Sequence, residues 1–294
     1  MRNIATVLQK IQDYASFVKL KLSLLVLFSG VVGFLMASGS KINPPVLTAF
    51  VFGSFFVIGG ANAFNEIFEQ KEDALMNRTC MRPFPQKRIS LVEAYVLATS
   101  ITLLGVFVLS FWVNLLVPLL AVLAFLLYVF AYTPAKKLGP WCTVIGAIPG
   151  AIPAMMGPAA VEKSITPLGW LLFSIVFLWQ FPHFFAIAWL VREDYQKAGF
   201  RIFPVASNER LVAYEILFCS SALVAISPLV SLMNQAGTSY FFGSLFLSLL
   251  LFAYAIRFWF RLSKPMAGKL MRMALAYLPF LFLLMLLDRV NRPG

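Results

Sequence analysis

Apolar stretches, each about as long as a membrane-spanning helix, alternate along the chain with short segments that hold most of its charges. A helix needs about 20 mainly apolar residues to cross the hydrocarbon core of a bilayer. The pattern therefore predicts an all-α, polytopic membrane helix bundle with nine spans, forming one domain over residues 1–294. The predicted spans are Leu20–Ser38, Pro45–Phe64, Leu91–Phe111, Asn114–Tyr132, Cys142–Val161, Leu168–Leu190, Leu211–Met233, Tyr240–Phe260 and Ala274–Leu287.

The segment before the first span, residues 1–19, predicts an interfacial amphipathic helix that lies on the membrane. Its apolar side chains recur at helical spacing: Ile4, Val7, Leu8, Ile11, Tyr14, Ala15 and Val18. No small-residue cleavage site follows the first span, so we do not expect a cleaved signal peptide.

Composition supports a membrane protein and excludes most other classes. The chain is 61% hydrophobic and only 12% charged, whereas soluble domains are about 25% charged. A soluble protein of this size would need polar surface that this composition does not supply. The three cysteines, Cys80, Cys142 and Cys219, lie too far apart to indicate a disulfide framework or a zinc site.

The charge distribution predicts the orientation. The net charge is +12, which by itself would raise nucleic acid as a partner. With a cytoplasmic N-terminus, however, nearly all of the 24 Lys and Arg residues fall on the cytoplasmic side. The exceptions are Lys41, Lys163, Arg289 and Arg292. The basic excess is therefore the positive-inside bias of a multi-pass cell (inner) membrane protein, and we expect the lipid bilayer, not nucleic acid, as its surroundings.

The first polar cluster follows the second span. No Gly or Pro interrupts the sequence 61–78, which predicts a helix that continues past the membrane surface. On it Asn65, Glu69 and Asp73 are spaced i, i+4 and i+8 and share one face, with Asn62 one turn earlier. Ionisable groups at membrane depth are functional by default.

Arginines come directly after these carboxylates, at Arg78 and Arg82. Mg²⁺ prefers oxygen ligands and is often held by one or two carboxylates together with substrate phosphates. Arginine binds phosphate oxygens with its planar fork. The combination favours a site for a magnesium diphosphate. The alternative is a solvated helix end whose acidic and basic residues pair on the surface.

A second cluster ends the sixth span. It contains the only histidine, His183, and then Arg192, Glu193, Asp194 and Tyr195. The predicted topology places these carboxylates on the same side as Glu69 and Asp73, where two clusters could share a diphosphate. For His183 the alternatives are a hydrogen-bonded core histidine and a ligand or proton-transfer role in a cavity.

A third loop carries Tyr132, Lys136 and Lys137. Taken alone, its lysines are ordinary positive-inside charges. They gain a role only if this loop lies beside the other two. We therefore predict one catalytic surface on the cytoplasmic side, made by loops 65–90, 133–141 and 191–210.

The motifs in these loops resemble those of the UbiA superfamily of intramembrane prenyltransferases, and most closely the branch that farnesylates protoheme IX. The residues that carry the resemblance are Asn65, Glu69, Asp73, Arg78-Thr79 and Arg82-Pro83, then YTPAKK (132–137), IGAIPGAIP (145–153), WQFPHFFAIAWL (179–190), EDYQKAG (193–199) and Phe203-Pro204-Val205. Glu69 stands where Asp is more usual, Glu72 where an apolar residue is usual and Lys137 where Arg is usual.

The resemblance implies a UbiA-like fold and farnesyl transfer from farnesyl diphosphate to a vinyl group of heme b, with addition of water, giving heme O and diphosphate. It implies Mg²⁺ as the cofactor, bound by Glu69, Asp73, Glu193 and Asp194. The implied catalytic residues are Asn65, Glu69, Asp73 and Asp194. The implied substrate-binding residues are Asn62, Arg78, Arg82, Tyr132, Lys136, Lys137, His183, Arg192 and Tyr195.

Other functions remain open at this point. Prenylation of an aromatic quinone precursor would use the same first motif, but should show a second pair of aspartates four apart, and Ala198 occupies the later position. A transporter would predict paired broken helices, and a catalytically dead heme-binding assembly factor would not need the acidic and basic residues. The resemblance also suggests contact with heme A synthase or with oxidase assembly.

Overall fold

The computed structural model describes residues 2–203 and 208–290, so Pro204, Val205 and Arg292 of the sequence prediction lie outside it. The helices, numbered in chain order, are α1 (Arg2–Phe17), α2 (Leu20–Ser38), α3 (Pro44–Phe68), α4 (Gln70–Leu75), α5 (Leu91–Trp112), α6 (Leu116–Leu126) with a π-helical continuation (Leu127–Tyr132), α7 (Thr133–Ala135), α8 (Cys142–Glu162), α9 (Pro167–Leu190), α10 (Arg192–Lys197), α11 (Glu209–Ile226), α12 (Leu229–Leu232), α13 (Thr238–Phe260) and α14 (Lys264–Leu287).

Nine helical stretches of the described chain are long and apolar enough to cross a membrane, which confirms the predicted number of spans. The last span was predicted too short, because it begins at Lys264 rather than at Ala274. Pro265 opens this helix, where a missing N–H costs nothing. Lys269 and Arg272 remain exposed on it, because long basic side chains can reach the surface from within a helix.

The helix predicted from the second span to Arg78 is interrupted. Helix α3 ends at Phe68, Glu69 has non-helical backbone angles, and α4 stops at Leu75. The Thr79 hydroxyl donates to the carbonyl of Asp73, 2.8 Å away, and closes the turn that follows. The prediction of a continuous helix was therefore wrong. Backbone hydrogen bonds nevertheless continue across the interruption, from Glu69 N–H to Asn65 at 3.0 Å and from Asp73 N–H to Glu69 at 2.8 Å.

Helix α8 is the most buried span and lies at the centre of the bundle, where it packs against α2, α6, the π-helical segment and α9. Its glycines allow this close packing. A Cβ on Gly157 would lie 2.1 Å from the carbonyl oxygen of Gly30 on α2. Small residues of this kind let helices approach closely in membranes.

Helix α1 turns its polar side chains toward the protein. Lys10 pairs with Glu93 at 2.8 Å, and Arg88 donates to the buried Asp13 at 3.1 Å. Apolar side chains face outward: Val7, Leu8 and Ile11. That this helix lies on the membrane surface stays a prediction.

Candidate active site

A cavity of about 400 Å³ opens where α2, α3, α6, α8 and α9 meet. Its inner wall is mostly apolar and includes Val57, Phe125, Met156 and Val176. Charged groups of both signs line its mouth: Lys19, Glu69, Asp73, Arg78, Arg82 and Lys136. The cavity thus joins a charged mouth to an apolar interior.

At the mouth Glu69 and Lys136 form a buried ion pair. Lys136 Nζ donates to Glu69 Oε2 at 2.9 Å and lies 2.8 Å from Oε1, which makes no hydrogen bond. The ammonium also lies 4.7 Å from the centroid of the Tyr132 ring. Burial lowers the pKa of Lys136, but the charge of Glu69, its hydrogen bond to the ammonium and the nearby hydroxyls of Tyr128 and Tyr195 together hold this pKa above the ordinary value. Lys136 therefore remains a cation.

Asp73 forms the second buried pair, with Arg82. Arg82 Nη1 donates to Asp73 Oδ2 at 2.8 Å and lies 3.9 Å from Oε2 of Glu66. Glu66 is fully buried, and within the described residues neither of its carboxylate oxygens has a hydrogen bond. Glu66 does not line the cavity, so it stands behind Arg82 as a second carboxylate.

Asn65 is fixed from both sides. Lys19 Nζ donates to its Oδ1 at 2.6 Å, and its own Nδ2 donates to Thr133 Oγ1 at 3.1 Å. Lys19 has left-handed backbone angles, φ 49° and ψ 53°, just before α2 begins, a conformation that is uncommon for a residue other than glycine. Burial lowers the pKa of Lys19 to about 8, helped by the charge of Arg82 and opposed by that of Glu66.

The π-helical segment presents two tyrosines to the cavity. The Tyr128 hydroxyl donates to Asn62 Oδ1 at 3.3 Å. The ring of Tyr132 lies against Gly146 of α8, where a Cβ would come within 2.5 Å of the ring carbons. Single π-helical turns are rare and are frequent at functional sites.

The loop after α9 closes over the mouth. Arg201 N–H donates to the carbonyl of Lys136 at 2.8 Å, and Arg78 N–H donates to Asp194 Oδ2 at 3.3 Å. A small apolar cluster joins the three loops: Met76, Ala135, Cys142, Ala198, Phe200 and Ile202. Loop 133–141 therefore does lie beside the other two.

Of the residues predicted from the sequence, the cavity lining includes Asn62, Asn65, Glu69, Asp73, Arg78, Arg82, Tyr132, Lys136, His183 and Tyr195. The others lie outside the lining: Lys137, Arg192, Glu193 and Asp194. Lys137 pairs with Glu72, Arg192 with Glu209 and Glu193 with Lys264.

The acidic residues do not converge into one metal centre. No group of three or more His, Cys, Asp or Glu side chains within the described ranges is placed to hold a metal ion. The structure therefore gives no support for Glu193 as a ligand alongside Glu69 and Asp73. Asp194 stays at the rim through its contact with Arg78.

His183 lies deeper in the cavity, on α9. Its ring stacks on that of Trp179, with centroids 4.9 Å apart and planes 14° apart. The residue is buried, and in the described part of the chain its Nδ1 has no hydrogen-bond partner. A buried polar atom without a partner is unfavourable unless a ligand supplies one.

Lys19, Glu66, Tyr128 and Gln180 were not predicted from the sequence. Lys19 is one of the positive-inside charges of the sequence, and Glu66 is not on the face shared by Asn65, Glu69 and Asp73. In the structure Glu66 and Asp73 lie beside the same arginine, Arg82. Only the position of Lys19 directly beside an apolar span could have singled it out.

Residues 26–283 match the model of the UbiA prenyltransferase family. The chain belongs to the UbiA prenyltransferase family. It is 36% identical to the protoheme IX farnesyltransferase of Koribacter versatilis, covering 95% of this chain and 94% of that one. It is 34% identical to the protoheme IX farnesyltransferase of Christiangramia forsetii, covering 96% and 95%.

Two solved structures share the UbiA fold. A digeranylgeranylglyceryl phosphate synthase superposes with a TM-score of 0.80 at 20% identity, covering 95% of this chain and 98% of the other. A UbiA homolog from Archaeoglobus fulgidus bound to GPP and Mg²⁺ superposes with a TM-score of 0.67 at 17% identity, covering 93% and 99%. These matches confirm the predicted UbiA-like helix bundle.

Proposed function

We propose that this membrane prenyltransferase transfers the farnesyl group of farnesyl diphosphate to a vinyl group of heme b, giving heme O and diphosphate. The observation that carries the proposal is a cavity whose mouth holds cations and carboxylates and whose interior is apolar. Such a cavity suits a substrate with a charged head and a hydrocarbon tail. The relatives named protoheme IX farnesyltransferase support heme as the acceptor.

The residues at the mouth fit Mg²⁺. Glu69 and Asp73 both line the mouth, and one or two carboxylates suffice for Mg²⁺ when substrate phosphates supply further oxygen ligands. We infer that Glu69 and Asp73 hold the metal. Bound there, Mg²⁺ would act as a Lewis acid on the diphosphate leaving group.

The chain's own residues then have distinct roles. Arg82, Lys136 and Arg78 bind the diphosphate and stabilise the negative charge that develops as its bond to the farnesyl carbon breaks. Asn65 and Asn62 have neutral side chains, and they orient the groups bound at the mouth. The vinyl electron pair of heme attacks the farnesyl carbon, and water adds to the resulting cation with loss of a proton. The apolar wall delays water until the new bond has formed.

His183 is proposed to contact heme, since its free Nδ1 is buried on the cavity wall beside Trp179. Replacing His183 with Phe keeps a flat ring for stacking and removes both nitrogens. We expect this variant to bind heme at least tenfold more weakly, with an altered heme absorption spectrum, while its affinity for farnesyl diphosphate is unchanged. Unchanged heme affinity and spectrum would leave His183 a packing residue.

The decisive experiment is a reaction with purified protein in nanodiscs. Heme b, farnesyl diphosphate and Mg²⁺ are supplied, and the products are separated and weighed by mass spectrometry. A parallel reaction replaces heme with an aromatic quinone precursor, and a third omits Mg²⁺. Heme O formed only with heme and Mg²⁺ supports the proposal. Prenylation of the quinone precursor alone would instead assign that compound as the acceptor.

We further propose that the protein sits in the cell (inner) membrane with the cavity mouth on the cytoplasmic side, from which heme O passes to heme A synthase or to oxidase assembly. Cys80 is a partly exposed free thiol in the turn after α4. Its labelling can show on which side of the membrane the cavity mouth lies. A membrane-impermeant maleimide should label Cys80 in inverted vesicles and not in intact cells. A Cys80→Ser/Lys41→Cys variant should show the opposite pattern.

A further inference from the structure

A second cleft, separate from the proposed active site, lies between α13 and α14 and has a volume of about 800 Å³. Four cationic side chains line it: Arg257, Arg261, Lys269 and Arg272. They are exposed. No carboxylate in the described part of the chain forms an ion pair with any of them.

The depth of these cations is informative. Arg257 lies in the last turn of α13, and Lys264 begins α14. At about 1.5 Å rise per residue, Arg272 lies roughly 12 Å along α14 from Lys264. Arg272 therefore lies about two turns inside a helix that is long and apolar enough to cross a membrane, and charged residues within such helices are rare and mark function.

The rest of the lining is apolar. Phe260, Met266, Met273 and Ala276 form the wall between the cations, and the guanidinium of Arg257 lies 5.7 Å from the centroid of the Tyr254 ring. Positive-inside topology explains the sign of these charges but not their convergence on one apolar-walled cleft.

We propose that this cleft binds the headgroup of an anionic phospholipid, and that it favours a lipid with two phosphates over a lipid with one. Four unpaired cations complement two phosphates, and the apolar wall would contact the first part of the acyl chains. Basic pockets between spanning helices are the general form of such sites. The four cations would attract any phosphate, but only a lipid would also place hydrocarbon against the apolar wall. We therefore assign the cleft to a lipid rather than to a soluble anion.

The test uses delipidated, full-length protein in detergent, titrated with a fluorescent diphosphatidylglycerol. The triple variant Arg261→Gln/Lys269→Gln/Arg272→Gln should weaken binding at least tenfold. A matched control removes three exposed lysines elsewhere, Lys71→Gln/Lys87→Gln/Lys197→Gln, and should change binding less than twofold. Should the triple variant be unstable, the single Arg272→Gln variant is expected to weaken binding about threefold.

Competition distinguishes the sources of phosphate. Unlabelled diphosphatidylglycerol should displace the probe at lower concentration than phosphatidylglycerol, and inorganic diphosphate should displace it only at a concentration at least a hundredfold higher. Displacement by inorganic diphosphate at the lipid's own concentration would overturn the proposal and assign the cleft to a free phosphate compound. Equal binding by the wild-type protein and the triple variant would overturn it as well.

Discussion

Two acidic clusters of this protein, one with Glu69 and Asp73 and the other with Glu193 and Asp194, differ in how far they are exposed to solvent. The side chains of Glu69 and Asp73, at the end of α3 and on α4, are 7% and 3% exposed, and each is paired with a buried or half-buried cation. Glu193, on the short helix α10, is 73% exposed and pairs with Lys264. The carboxylates alone are equally suited to metal. Burial inside the bundle and the cations around them are what distinguish a site from a surface.

The substitution with the largest expected effect tests this difference between buried and exposed carboxylates directly. Asp73→Asn removes one carboxylate charge from the mouth while keeping its size, and we expect kcat/KM to fall at least 100-fold, or about 2.7 kcal/mol at ~1.4 kcal/mol for each factor of ten. Glu193→Gln should change it less than twofold, because exposed ion pairs contribute about 0–1 kcal/mol. Heme O formation at several Mg²⁺ concentrations measures both. Equal losses would mean that both clusters hold the metal.

Neighbouring lysines offer the next comparison. Lys136→Gln leaves the buried Glu69 without its cation and removes a diphosphate ligand, and we expect kcat/KM to fall at least 30-fold, since truncating one partner of a buried charge pair costs about 2–5 kcal/mol. Lys137 is half exposed and pairs with Glu72 at the surface. The Lys137→Gln substitution should therefore lower kcat/KM less than threefold. Steady-state kinetics with varied farnesyl diphosphate measures both. Similar losses would contradict the different roles given to the two lysines.

The sequence allowed the helix bundle and most of the cavity lining to be predicted, because both depend on local composition. Nine apolar stretches become nine spans in the described chain, and Asn65, Glu69 and Asp73 meet at one mouth, as their spacing indicated. The partners of these residues depend on where the backbone departs from regular helix. The break at Glu69, the π-helical turn at 127–132 and the left-handed Lys19 have no clear signal in a single sequence. Tyr128 and Lys19, which line the cavity, lie at two of these departures.

Lys19 provides a pH test of the mouth. A lysine loses its proton as the pH rises, and the pKa of Lys19 is lowered to about 8. Its charge is therefore present below pH 8 and lost above it. Because this cation holds Asn65 and would attract the diphosphate, kcat/KM should fall about tenfold in total as the pH rises through 8 and then level off, since this parameter reports the free enzyme.

The matched variants for this test are Lys19→Arg and Lys19→Gln. Arginine stays protonated in proteins, so Lys19→Arg should abolish the decline near pH 8. Lys19→Gln should be about tenfold less active at pH 7 and show no decline. A decline that persists unchanged in Lys19→Arg would assign the titration to another group.

The smallest expected effect concerns Glu66, the buried carboxylate behind the mouth. It lies 3.9 Å from Arg82 and does not line the cavity, so at a pH where Lys19 is fully charged it acts by positioning that arginine. Glu66→Gln keeps the shape and removes the charge. We expect the KM for farnesyl diphosphate to rise three- to fivefold while kcat is nearly unchanged, because Asp73 still holds the other side of Arg82 at 2.8 Å.

In an Arg82→Gln background, Glu66→Gln should add no further effect on KM. Additive effects in the double variant would mean that Glu66 acts on the substrate independently of Arg82.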